Sequence, residues 1–439
     1  MTNLGTLLRS ELGLFSISDH LVQAVSHHDS VLLDQAVWDA LGTESWAVSR
    51  HAAFATSYRM LSSIAKNLGI DGATQILDLA AELFGAVGLG QIHFEVSSGG
   101  GGFTGQDLLF GGGFRERYGP SLTIKHRMDA FVAGYGAAAA SVAFPSDWGS
   151  FEAEETSCVA RGDAVCTFSL ARRPDPQRSG HAVTRLDASE LVTHAEEEDA
   201  DVGVDREAQK AALDLLLATQ SDEAGVLRLP STEGSSNGRS RLALLPVSYR
   251  AQLVFDALHL LEKRSPALAP VFLELVREAT QAAAYLEIAE LMRAPAIEKL
   301  DRPATGEERA MRFAGIASAL GWGVFSVTDY VPERRLVLTT QVTPEAVYYT
   351  SRHGGAPGIE LPGVQGVAGA IALLAHSSGH HARVGGEGSE RPSLRFEDYA
   401  ELARTGPELH VEEVKSIVRG DAEGEIVVDI TPRGSSARA

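Results

Sequence analysis

Only two cysteines occur in this 439-residue chain, Cys158 and Cys166, and Glu155 stands three residues before the first. Thiolate and carboxylate are both metal-ligating groups, and a metal needs them close together. Between the cysteines, Arg161-Gly162-Asp163 is a turn signal, flanked by the strand-favouring Val159, Val165, Thr167 and Phe168. A reversal near Gly162 sets the cysteines opposite each other with both sulfurs on one face. Three readings of the pair stay open: metal ligands, a cross-strand disulfide, or two reduced buried thiols.

Other chemistry is weaker in the sequence. His376 and His380 have a helical i,i+4 spacing, but the glutamate of an HExxH site is missing and Ser377-Ser378-Gly379 reads as a helix end. His27-His28 has the same plain reading. The glycine-rich stretches Ser97–Gly102 and Gly111–Gly113 lack both the GKS/GKT and the GxGxxG nucleotide fingerprints, so they are expected to be hairpin loops. No GxSxG elbow supports a hydrolase. Phe84, His93, Phe94, Phe103, Phe110 and Tyr135 are candidates to face a ligand pocket, with core packing as the alternative.

The elements that position these residues occur twice. Glu154-Glu155 followed by Arg161-Gly162-Asp163-Ala164 is echoed at equal spacing by Glu412-Glu413 and Arg419-Gly420-Asp421-Ala422. Residues 18 to 87 are read as helices, including Leu21, Val22 and Val25, with a break at Asp71-Gly72. Gly88-Leu89-Gly90 then leads into an alternating strand, Gln91–Val96. A small-residue helix is expected over Leu122–Val142, and the cysteine hairpin over Phe151–Leu170. In the second half, helices at Tyr249–Glu262, Ala269–Leu291 and Glu307–Leu320 precede Gly321-Trp322-Gly323. A strand at Arg335–Thr340, a small-residue helix at Val364–Ala375 and a hairpin at Val411–Ile430 follow. The expected fold class is therefore α/β (α+β): two tandem copies of helices packed on a small antiparallel sheet, forming an intramolecular pseudo-dimer. The expected boundaries are 1–172 for the first copy, 173–205 for an acidic linker and 206–432 for the second copy. A disordered tail is expected at 433–439.

Composition narrows the partners. A formal charge of -20 argues against binding to nucleic acid or anionic lipid, which needs clustered Lys and Arg. No apolar run is long enough to span a bilayer, and the first residues lack a secretion signal, so a cytoplasmic protein is expected.

Gly134-Tyr135 in the small-residue helix, together with Glu155-x-x-Cys158 and seven residues before Cys166, resembles the 4-vinyl reductase domain. This is a small-molecule-binding module that also serves as the sensory domain of bacterial aromatic-responsive transcription activators. The likeness covers residues 50 to 170 and, through the repeat, 245 to 430. It implies helices on a small antiparallel sheet around a buried apolar cavity, akin to a vesicle-tethering subunit fold. It also implies ligand sensing by a non-enzymatic regulatory protein, with a small apolar or aromatic ligand in the first copy. The sensory members hold zinc through a glutamate and cysteines at these positions plus one cysteine upstream. Carried over, Glu155, Cys158 and Cys166 are ligands of a structural zinc. The upstream cysteine is missing, and Asp129 or His126 is the expected substitute. Copy two has Glu413, but Ser416 and Gly424 at the cysteine positions, so it is degenerate. The DNA-binding and ATPase parts of those activators have no counterpart in the sequence. Two other functions are carried alongside: a protein-interaction scaffold without a small ligand, and an accessory factor to a tetrapyrrole vinyl reductase.

Overall fold

The computed structural model describes residues 8–11, 14–18, 20–146, 149–174, 203–228, 241–298, 300, 305–353, 359–376 and 396–433. Most of the expected linker, His380 and the tail from Gly434 onward lie outside these residues.

The chain runs twice along one path. In the first pass β3 (His20–Ser26) leads into helices α1 (His27–Leu41), α2 (Ser45–Leu68) and α3 (Ala73–Ala86). The hairpin β4 (Gln91–Ser97) and β5 (Gly100–Gln106) follows, then α4 (Leu109–Tyr118) and the small-residue helix α5 (Ala130–Ala143). Strand β6 (Gly149–Ser157), a short 3-10 turn at Val159–Arg161 and β7 (Cys166–Pro174) close the copy. After α6 (Arg206–Ala218) and the two-residue β8 (Leu227–Arg228), the second pass repeats the order. It has β9 (Arg241–Pro246), α7 (Val247–Arg264), α8 (Ala269–Leu291), the short α9 (Pro295–Glu298) and α10 (Gly306–Ala319). The hairpin β10 (Phe325–Val331) and β11 (Arg335–Thr340) comes next, followed by α11 (Pro344–His353) and α12 (Pro362–His376). Helix α13 (Phe396–Thr405), β12 (Glu408–Lys415) and β13 (Gly424–Thr431) end it. The two antiparallel four-stranded sheets share one topology, β4-β5-β7-β6 and β10-β11-β13-β12.

A third sheet, β1-β2-β3-β9-β8, joins the copies, with β1 at Leu8–Glu11 and β2 at Leu14–Ile17. Its centre is the antiparallel pairing of β3 with β9 about Ala24 and Leu244, so that Val22 faces Pro246 and Ser26 faces Leu242. The same crossing recurs one layer out. Ala24 N donates to Leu320 O (2.9 Å), and Leu244 N donates to Val87 O (2.8 Å). The first helix of each copy packs on the second helix of the other, α1 on α8 and α2 on α7. An apolar core runs through both copies and the seam between them.

Three sequence expectations need correction. Leu21, Val22 and Val25 lie in strand β3, not a helix. Six of its seven residues are buried, and a short apolar run covered on both faces carries no period to tell strand from helix. The small-residue helix starts at Ala130 instead of Leu122. The glycines of 100–102 build strand β5 and Gly111–Gly113 sit in helix α4, so neither stretch is merely a loop. Close approach explains both: a Cβ at Gly101 would stand 2.2 Å from Glu95 O, and one at Gly113 2.7 Å from the His27 Cβ.

Candidate metal centre

The hairpin and the small-residue helix meet at a closed box. After β6 the 3-10 turn at Val159–Arg161 carries the chain to Gly162, whose φ of +97° suits glycine, and the Asp163 carboxylate accepts from Cys158 N at 2.8 Å. That turn aims Cys158 inward just as β7 begins with Cys166. The two sulfurs stand 4.0 Å apart, too far for a disulfide, and both thiols are free. Two sulfurs each about 2.3 Å from a tetrahedral zinc would lie about 3.8 Å apart.

Two carboxylates complete the box. Asp129, the residue before α5, places Oδ2 3.4 Å from the Cys158 sulfur while Oδ1 accepts from Gly111 N at 2.8 Å. Gly111 is required here, because a Cβ would stand 2.9 Å from Asp129 Oδ2. Glu155 Oε2 accepts from Met128 N at 3.2 Å, and its other oxygen is buried without a hydrogen-bond partner among the described residues. The donor atoms of Asp129, Glu155, Cys158 and Cys166 all lie within 4.8 Å of one another. None of the four residues is more than 2% exposed.

Such a cluster is electrostatically incomplete. Burial, then the Asp129 charge, pushes the Glu155 carboxyl up to about 9. Cys158 is pushed up by its hydrogen bond with Cys166, by burial and by the charges of Asp129, Glu155 and Cys166. The hydrogen bond with Cys158 lowers Cys166, but burial and Asp129 outweigh it and the thiol also rises. Four acids in one dry site cannot ionise together unless a cation joins them. A divalent metal would meet that need and would give the orphaned Glu155 oxygen a partner.

Of the five expected ligands, four converge and His126 does not. Its ring stacks on Trp38 at 4.0 Å between centroids, outside the cluster. The residues from Leu122 to Asp129 precede the helix, so helical spacing does not carry His126 to the face on which Asp129 points inward.

The six ligand-pocket candidates divide. Phe84, Phe103, Phe110 and Tyr135 are at most 3% exposed and fill the first copy with ring contacts. Phe84 meets Tyr135, and Phe110 meets Phe131. Phe94 is half-buried against Phe103. His93 lies exposed on β4. Neither cavity described among these residues is lined by any of the six.

Copy two keeps the frame of the box and loses its donors. Ser416 N donates to Asp421 Oδ2 at 2.7 Å, and Gly420 has a φ of +98°, as in copy one. Glu413 is buried, and that burial raises its carboxyl. The thiol positions hold the buried Ser416 and Gly424.

No helix among the described residues is long and apolar enough to cross a membrane. No family model and no curated protein matches the sequence. Among solved structures, the chain is similar to the phenol-responsive sensory domain of the transcription activator PoxR, crystallised with phenol. The likeness has 18% identity over 39% of this chain and 87% of that one, with a TM-score of 0.33.

Proposed function

We propose that this is a non-enzymatic cytoplasmic regulatory protein that responds to a small molecule and carries one structural zinc ion in its first copy. The buried Asp129, Glu155, Cys158 and Cys166 box carries the metal part of the reading, and the small-molecule part rests on the sequence pattern that resembles the sensory module. Two sulfurs and two carboxylate oxygens make a donor set for a tetrahedral borderline-soft ion, and thiolates favour zinc over magnesium or calcium. Four protein donors fill a tetrahedron, leaving no coordination position for a substrate, so the ion is structural. It pins the β6–β7 turn to the start of α5, and the ring-filled first copy becomes the rigid half of the pair.

Two measurements test this reading. Replacement of the metal by cobalt(II) is expected to give the intense near-ultraviolet absorption of thiolate ligation, lost in Cys166→Ser. Mass spectrometry of molecules released on unfolding the purified protein is expected to find a bound small organic compound. A cobalt spectrum without thiolate bands contradicts the metal assignment. The absence of any released or bindable small molecule contradicts the sensing role.

A further inference from the structure

Helices α5 and α12 align from their first residues, Ala130 and Pro362. A Cβ at Gly134 would meet Arg50 O at 2.5 Å, and one at Gly366 would meet Arg277 O at 2.7 Å, so both glycines lie at a close helix crossing. In that register Phe131 and Tyr135 correspond to Gly363 and Val367, beside which lies a cavity of about 60 Å³. Past the aligned helices the copies part. Residues 144–148 lead directly from α5 to β6, whereas α13 stands between α12 and β12. This extra helix walls a larger cleft of about 570 Å³, within the range that holds a small molecule.

The cleft lies between the copies. Leu32 and Ala36 come from α1 of the first copy, Ala279 and Ala282 from α8, and Ala400 and Ala403 from α13. Arg117, near the end of α4, packs its guanidinium over the Phe396 ring at 4.1 Å and ties α13 to the first copy. Tyr399 stands in this wall, 8% exposed, with its ring against Tyr285 and Phe396.

The hydrogen bonding of the Tyr399 hydroxyl is half used. Gln281 Oε1 accepts from Arg277 Nη1 at 3.4 Å, which orients the amide so that Nε2 donates to the Tyr399 hydroxyl oxygen at 3.3 Å. The phenol proton is left over, with no acceptor among the described residues. Burial, then the Glu278 charge, pushes this phenol up to about 12, so it keeps that proton. A buried donor without an acceptor favours a ligand that brings one.

The surroundings disfavour a carboxylate as that acceptor. Arg277 is engaged by both oxygens of Glu274 and by Gln281, so it is not a free cation beside the hydroxyl. Glu278 and Asp39 line the same cleft, and neither has an ion-pair partner among the described residues. Arg404 lies exposed about 7.5 Å farther along α13, with Arg433 donating to its carbonyl and Glu408 lining the cleft there. An ammonium ion brings no acceptor at all.

We propose that this cleft binds an uncharged, largely apolar carbonyl compound, its oxygen accepting from Tyr399 and its body against the alanines and Phe396. The assignment rests on the reading of the protein as a small-molecule responder, and moves the ligand from the ring-filled first copy to the junction of the two. Because α1 and α13 belong to different copies, an occupied cleft links them.

Calorimetry on the full metal-loaded chain tests it, with benzophenone, diphenylmethane and diphenylacetate as probes of similar size. The expected result is saturable binding of benzophenone about fivefold or more tighter than diphenylmethane, and no binding of diphenylacetate. Tyr399→Phe, which keeps the ring and removes the proton, is expected to bring benzophenone to within about twofold of diphenylmethane. Ala400→Trp, which places an indole in the cleft, is expected to abolish binding of both without loss of the melting transition. Tyr399→Phe serves should Ala400→Trp not fold. Diphenylacetate binding as tightly as benzophenone, or a ketone preference unchanged in Tyr399→Phe, overturns the assignment. Failure of all three probes while an acidic or basic compound is released from the purified protein overturns this inference alone. Failure of the probes with no released compound overturns the sensing role as well.

Discussion

The two copies share a backbone and differ inside, which separates what holds this fold from what gives it chemistry. Conserved between them are main-chain devices: Gly162 and Gly420 at positive φ, the Asp163 and Asp421 carboxylates that close the turn, and Gly134 and Gly366 between crossing helices. Changed are the side chains those devices deliver. Cys158 and Cys166 become Ser416 and Gly424; Phe131 and Tyr135 become Gly363 and Val367. In α2 and α8, the register set by Arg50 and Arg277 places buried Met60 opposite buried Glu287. One copy is filled with rings and gathers four candidate metal donors, while the other lacks the two thiols and borders a cavity at Gly363 and Val367.

The largest effect is expected at the metal box. Cys158→Ser is expected to remove the proposed ion and with it on the order of 5 kcal/mol of stability, read by chemical denaturation with and without a chelator. The matching change in copy two, Ser416→Ala, is expected to shift stability by about 1 kcal/mol or less and to leave chelator sensitivity unchanged. Equal losses in the two copies would break the comparison.

Next in size is the aromatic filling. Phe131→Ala is expected to destabilise by about 3–5 kcal/mol in thermal or denaturant unfolding, because it empties a closed site. Val367→Ala removes less buried surface beside an existing cavity and is expected to cost about 1–2 kcal/mol. Smaller again are the crossing glycines. Gly134→Ala and Gly366→Ala each force the helices apart and are expected to cost about 1–3 kcal/mol, alike in both copies. A large asymmetry here would mean that the two crossings are not equivalent.

The gentlest probe is pH. Burial, then the Asp29 charge, pushes the Glu287 carboxyl up to about 8, while Ser26 N donates to its Oε1 at 2.5 Å. The folded state therefore holds this proton more tightly than the unfolded chain. Its stabilising contribution is complete below the ordinary glutamate range near pH 4.5 and is lost as pH rises through about 8. The slope is at most about 1.4 kcal/mol per pH unit. Stability curves of wild type and Glu287→Gln are expected to diverge across this window, with wild type falling the faster. Parallel curves would show that Glu287 is not held protonated.

Much of this was legible in the sequence because the repeat is written in turn chemistry, which depends on few residues at fixed spacing. Glu155-x-x-Cys158 and the arch to Cys166 mark three of the four groups that cluster, and Asp129 follows from asking what lies near the start of the small-residue helix. The joining strands β3 and β9 were missed. Each is a short run buried on both sides, without alternation to identify it. The glycines of β5 and α4 were misread as loops because sequence cannot distinguish a glycine needed for φ from one needed for close approach. His126 fell away because the residues before Asp129 are not helical. The cavity in copy two had only a faint signal, the loss of two rings at i and i+4 between aligned helices.

Metal analysis of the purified chain and two variants tests the central asymmetry most directly. Wild type and Glu413→Gln are each expected to carry one equivalent of zinc, and Cys158→Ser none. Zinc that persists in Cys158→Ser, or disappears in Glu413→Gln, would contradict a centre confined to the first copy.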